Sequence, residues 1–149
     1  MNITILCVGK LKEQYWIDAV DDYAQRLSKY CTLKIDEIKE SERDDKDEEG
    51  ASLLKRIKKE DYVITLEIKG KHIDSDDLAN TLETLSISGK SKVVFVIGGS
   101  EGLSKEVSDR ADFRLSFSKM TFPHRLARVM LLEQVYRSFK IIKNEKYHK

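Results

Sequence analysis

Proline is almost missing from this chain: Pro123 is the only one in 149 residues. There is accordingly no proline-rich linker or recognition tract, and no other low-complexity block takes its place. Cysteine is nearly as scarce. Cys7 and Cys31 are too few for a disulfide framework or a cysteine-based zinc site. Cys7 lies in an apolar run, where a thiol behaves as a small hydrophobe. No apolar run is long enough to span a bilayer. A basic-then-apolar leader ending in small residues is also missing, so a cytoplasmic location is the expectation. Net charge is only +1, and the average therefore indicates no class of partner. No internal repeat is present.

What remains is ordinary material for one folded domain over residues 1–149, with 36% charged and 40% hydrophobic residues. Ile3–Val8 is a continuous apolar run of the kind found in strands buried on both faces. Trp16, Ala19, Val20, Tyr23, Leu27 and Tyr30 form one stripe of a helix over Glu13–Tyr30. Leu33–Ile38 is a second strand. Ser41–Gly50 carries six acids and two bases and reads as a solvated, mobile connection, with room beyond it for a short helix carrying Leu53, Leu54 and Ile57. Asp61–Ile68 is a third strand, stopped at Gly70. Ser75 is a credible cap for a helix carrying Leu78, Leu82 and Leu85, closed by Gly89. Lys92–Ile97 is the most buried-looking strand and runs into Gly98-Gly99-Ser100-Glu101-Gly102. A short helix over Ser104–Arg110 and a strand over Phe113–Phe117 follow. Five alternations of strand and helix predict an α/β fold, a mostly parallel sheet with helices on both faces. Ligands of such sheets sit beyond the carboxyl ends of the strands. The loop after Ile68, the Gly98–Gly102 turn and Ser118–Phe122 belong there.

The stretch Leu115–Ile142 organises the rest. Apolar residues at Leu126, Val129, Met130, Leu132, Val135, Tyr136, Phe139 and Ile142 make a helical face. Pro123 reads as its first helical position, where a missing N–H costs nothing, with Thr121 or Phe122 near the cap. A loop entering a helix N-terminus offers free N–H groups to a polar ligand. The plain alternative is the last unit of an α/β domain with no further role. From Lys119 onward there are eight Lys or Arg against two acids. That asymmetry suits a polyanion such as nucleic acid. A solvated basic face is the alternative.

Familiar ligand motifs fail on context. The Gly98–Gly102 turn follows the wrong strand and has the wrong spacing for a dinucleotide fingerprint. Gly89-Lys90-Ser91 lacks the leading glycine of a P-loop, since position 84 is Thr, and it precedes a strand instead of following one. No His, Cys and carboxylate cluster has zinc spacing, so no metal is expected, and no serine-hydrolase elbow occurs. What survives is a glycine turn that lets backbone approach a ligand closely, facing a second loop beside a basic helix.

Ile97–Ser104 (IGGSEGLS), Leu115–Arg137 (LSFSKMTFPHRLARVMLLEQVYR) and the closing Tyr147-His148-Lys149, with Val8–Trp16 and Val63–Lys71, resemble the ribosomal large subunit methyltransferase H family. The resemblance covers nearly the whole chain. It implies a SPOUT-class methyltransferase with a C-terminal trefoil knot, a homodimer, S-adenosylmethionine as methyl donor, and N3-methylation of a pseudouridine in 23S rRNA of the assembled ribosome. Carried over by position, Leu66, Gly99 and Ser118, Lys119, Met120, Thr121, Phe122 and Pro123 would line the cofactor pocket, and His148 would lie near the target base. Two departures are visible. Ser41–Gly50 is shorter than in many relatives, and Lys146 stands where proline is usual, which loosens the tail.

Such chemistry needs alignment more than activation, a positioning contribution of roughly 7–11 kcal/mol in favourable cases. The acceptor imide must also lose a proton. His148, Arg125 and Tyr147 are the candidates to take it or to stabilise the anion, whereas His124 reads as a structural helix-start residue. Asn144–Lys149, with Tyr147 its one apolar anchor, is expected to add little to the fold. The competing classes are a non-catalytic RNA-binding dimer using the basic C-terminal helix and an unknotted Rossmann-type nucleotide enzyme.

Overall fold

The computed structural model describes all 149 residues. Five parallel strands, β1 (Asn2–Val8), β2 (Thr32–Ile38), β3 (Tyr62–His72), β4 (Lys92–Ile97) and β5 (Phe113–Ser116), lie in the order β2-β1-β4-β3-β5. The helices are α1 (Gln14–Leu27), α2 (Lys46–Arg56), α3 (Ser75–Ile87), α4 (Lys105–Arg110) and α5 (His124–Ile142).

The period-two alternation of strands explains why the apolar runs have no polar side. Ile3, Ile5 and Cys7 of β1, Ile64 of β3, and Val93, Phe95 and Ile97 of β4 face a core closed by α1, α3 and α5. Leu6, Val8, Val63, Val94 and Val96 point the other way, to a smaller core closed by α2 and α4. Ile3, Ile5, Ile64 and Phe95 are wholly inaccessible, and each such burial contributes about 1.5–3 kcal/mol. The expected layer arrangement is the observed one.

Local expectations fail in four places. Ser41–Gly50 is not a loose connection. Its second half opens α2, with Asp45 as N-cap accepting from the N–H groups of Asp47 (2.9 Å) and Glu48 (3.3 Å). Asp47, Glu48 and Glu49 then complement the helix dipole, so the acids that looked disordering start a helix. Strand β3 does not stop at Gly70; it bulges between Leu66 and Lys71, both of which register with Leu115, and continues to His72. A side chain at 70 would collide with the backbone of Arg114 and Leu115. The cap of α3 is Asp74, one residue before Ser75, in a reciprocal capping box with Asp77. Ser75 instead donates to Gln134 of α5 at 2.7 Å. Pro123 has ψ 138°, extended and outside the helix, so it is the cap and His124 the first helical residue. The Pro123 carbonyl accepts the first helical bond, from Ala127 at 2.9 Å.

The tail is better anchored than its polarity suggests. The Tyr147 ring meets Tyr136 edge-on at 5.0 Å and lies under the Arg137 guanidinium at 4.7 Å. Its hydroxyl donates to Glu133 at 3.2 Å. Asn144, at φ 55°, takes the left-handed conformation that turns the chain back after α5.

Candidate active site

The carboxyl edge of the sheet brings three segments together. They are the Glu67–Gly70 bulge of β3, the Gly98–Gly102 turn after β4, and Phe117–Pro123 between β5 and α5. Between them lies a cavity of about 700 Å³, within the range of small-molecule sites. Leu66, Ile97, Leu115, Phe117 and Phe122 provide apolar walls, and Glu67 and Glu101 add two carboxylates. His124 and Ala127 close the helix side.

The lining is held by its own polar contacts. Ser116 Oγ lies 2.9 Å from the Ile68 carbonyl and 3.1 Å from that of Ser118, joining two of the loops. Ser118 Oγ in turn accepts from the Met120 N–H at 3.0 Å. In the glycine turn, the Gly102 N–H donates to the Gly99 carbonyl at 3.1 Å. A Cβ on Gly98 would stand 2.5 Å from the Gly102 carbonyl oxygen, and Gly102 has φ 81°, so both positions demand glycine.

Of the residues expected from sequence, Leu66, Gly99, Ser118, Met120, Thr121, Phe122 and Pro123 line this cavity. Lys119 is exposed and does not. Gly99 lines it as expected, yet a side chain there would head for Glu49 and Val8 instead of into the ligand's path. Arg125 lies outside the lining, with Nε 3.9 Å from a Glu13 carboxylate oxygen. Tyr147 and His148 sit at the opposite end of α5. His148 Nδ1 is 3.2 Å from Arg137 Nη1, and its Nε2 is 3.7 Å from Asp76. His124 lies 3.8 Å from Glu40, and burial, aided by the neighbouring Arg125, pushes its pKa below the usual imidazole value. Burial, with Glu133 nearby, pushes the Tyr147 phenol up.

Sequence reasoning missed Arg128 and Arg137. Arg128 is 1% exposed; Nη1 meets Glu37 at 2.6 Å and Nη2 donates to the Gly9 carbonyl at 3.0 Å. The core stripe of α5, followed backward from Val135 and Leu131, lands on position 128, and that spacing was the available signal. Arg137 is ion-paired with Glu133 one turn earlier while reaching the tail. The basic footprint shrinks accordingly. Arg125, Arg128, Arg137 and Lys140 all have acidic partners, leaving Lys119, Lys143, Lys146 and Lys149 as the uncompensated cations.

A parallel α/β sheet whose glycine turn and pre-helical loop share one cavity at the carboxyl edge matches a methyltransferase class. The family described as Predicted SPOUT methyltransferase matches residues 1–148, and the chain belongs to that family. Within it, the chain is 52% identical to ribosomal RNA large subunit methyltransferase H of Clostridium novyi, covering all of both chains. It is 50% identical, again end to end, to ribosomal RNA large subunit methyltransferase H 1 of Clostridium perfringens. Among solved structures, a probable methylase family protein from Haemophilus influenzae Rd KW20 shares the fold at a TM-score of 0.58 and 15% identity, over 99% of this chain and 70% of that one. No helix is long and apolar enough to cross a membrane.

Proposed function

We propose that the protein transfers a methyl group from S-adenosylmethionine to N3 of a pseudouridine in 23S rRNA of the assembled ribosome, acting in the cytoplasm as a homodimer. The observation that carries this reading is the cavity formed by the Gly98–Gly102 turn and Ser118–Pro123 in a chain of this family. When bound, the cofactor supplies a methyl already activated by its sulfonium. The residues present fit it: apolar walls suit adenine, backbone of the glycine turn can approach closely, and Glu67 and Glu101 complement a cation. The same reading includes the trefoil knot, with the C-terminal segment threaded where these loops cross.

The chain's own work is then positioning and proton handling. His148, backed by Arg137 and Asp76, is assigned to the acceptor imide, either taking its proton or holding the group that does. Tyr147, kept protonated, orients the tail. Arg125 is the reserve candidate for stabilising the anion. One chain cannot complete this arrangement. His124 lines the cavity, whereas His148 rests on Arg137, thirteen residues on, and that separation is about 20 Å along a helix. A second copy, laid antiparallel along α5, brings its tail to the first copy's cavity.

Four consecutive apolar residues of α5, Val129, Met130, Leu131 and Leu132, are more than packing on one sheet face requires, but not all of them are free to meet a second copy. Leu131 and Leu132 are fully buried within the chain. Val129 and Met130 remain, lining an open recess of about 510 Å³ with Tyr23, Ile73 and Phe117. Apolar surface of this kind favours a self-complementary contact. Sedimentation at micromolar concentration is expected to show a dimer, and monomer alone would remove the second copy from the mechanism.

The deciding assay is transfer of labelled methyl to intact ribosomes beside naked rRNA. Incorporation into ribosomes, mapped to pseudouridine N3, is the expected result. Calorimetric titration without heat from S-adenosylmethionine, alongside RNA binding, would favour the non-catalytic dimer.

A further inference from the structure

The acidic segment Ser41–Gly50 has no part in the function so far described, yet it touches the glycine turn from behind. Glu49 is only 5% exposed. One of its oxygens accepts the Ser41 N–H at 3.0 Å. The other lies so close to Gly99 that a methyl group there would stand 3.1 Å from it, and 3.2 Å from Val8 Cγ1. Gly99 lines the cavity and Glu49 does not, so the carboxylate backs the turn on its far side. Ser100 Oγ donates to Asp44 at 3.3 Å, a second contact between the same two segments. A third lies at the exit of the turn, where Gly50 packs so tightly on Ser104 that no side chain would fit between them.

We propose that Glu49 is a positioning residue for cofactor binding, a buried wedge that holds the Gly98–Gly102 turn in the one position that leaves the cavity open. This rests on the cofactor reading above. A carboxylate is a costly wedge. Burial, with Glu40, Asp44 and Asp45 around it, pushes Glu49 above the ordinary glutamate range, against the opposing effect of the Ser41 N–H. Core packing alone would be met as well by an apolar side chain. A carboxylate adds an acceptor that fixes the Ser41 backbone, so the wedge has a defined depth. On this account the acidic segment is the rear wall of the cofactor site, built from a different part of the chain.

The test is a double-mutant cycle on the full-length protein, read by calorimetric titration with S-adenosylmethionine. Glu49→Ala withdraws the wedge, and Gly99→Ala pushes a methyl into it. Each is expected to weaken binding about tenfold, and the double variant to be no weaker than the worse single one, because the added methyl then occupies the vacated space. Glu49→Gln keeps shape and acceptor and is expected to restore affinity to within about threefold of wild type, a difference under 0.7 kcal/mol. Glu49→Asp, one methylene short, should bind several-fold more weakly than Glu49→Gln, and this pair decides the matter if Glu49→Ala does not fold. Glu49→Gln should melt close to wild type, and in the Glu49 variants the loss should appear in the cofactor concentration needed for half-maximal single-turnover methylation and not in its maximal rate. Wild-type affinity in Glu49→Ala, losses that simply multiply in the double variant, or equal affinity of the Asp and Gln variants would overturn the proposal. Failure of the wild-type protein itself to bind the cofactor would instead overturn the cofactor reading.

Discussion

Replacing His148 by alanine is expected to lower single-turnover methyl transfer by roughly 10²–10⁴-fold, the usual contribution of a positioned acid or base. Cofactor affinity and melting temperature should stay near wild type. The expectation follows from where the side chain sits. It is on the tail, in contact with Arg137 and Asp76, and far along α5 from the cavity. Its loss therefore leaves the cofactor loops untouched. Tyr147 continues to anchor the tail through Tyr136 and Glu133, so the neighbouring backbone keeps its place. The ring nitrogens of His148 can accept or donate a hydrogen bond, which suits an imide acceptor. Lys149→Ala separates proton handling from phosphate contact: it should weaken ribosome binding and reduce its salt dependence without slowing bound substrate. Normal single-turnover transfer by His148→Ala would return the assignment to Arg125.

Arg128→Met should be strongly destabilising. Removing one partner of a buried ion pair typically costs about 3–5 kcal/mol, because the other charge is left without compensation. The lower end applies, since the Glu37 side chain keeps 30% exposure and can partly rehydrate. A loss of about 3 kcal/mol corresponds to a melting temperature lower by roughly 6–12 °C for a chain of this size. The same substitution frees the Gly9 carbonyl, which Arg128 Nη2 now satisfies at 3.0 Å. Glu37 also accepts the Leu11 N–H at 3.2 Å, so the pair ties α5 to the loop after β1 and the end of β2. Adding Glu37→Gln to Arg128→Met should recover part of the loss by removing the stranded charge. Thermal unfolding of the two variants beside wild type measures both effects. A melting temperature for Arg128→Met within about 2 °C of wild type would show that the pair contributes no net stability, as some buried pairs do.

Sequence by itself determined the layers of this protein. Apolar runs in β1 and β4 with no polar side require cover on both faces, and the helical stripes between them supply it. The same logic placed three loops at one edge of the sheet, and the motifs carried by two of them identified the family. These features are legible because they are local: a strand or helix declares its faces within a few residues, whatever lies elsewhere in the chain. The acids of Ser41–Gly50 misled for a related reason. Their composition is that of a solvated segment, and only the Asp45 cap and the burial of Glu49 and Leu53 against neighbouring elements turn them into α2. The tertiary structure alone decided which residues act together. Arg128 is one of several basic residues in α5 until Glu37, ninety-one positions away, shows why it is buried. Glu49 means nothing to Gly99 until the sheet order brings them into contact. The tail follows Pro123 by two dozen residues in sequence, yet a rigid helix carries it to the far end of the molecule. Contacts of this kind depend on distances set by the whole packed chain, and no local pattern encodes them.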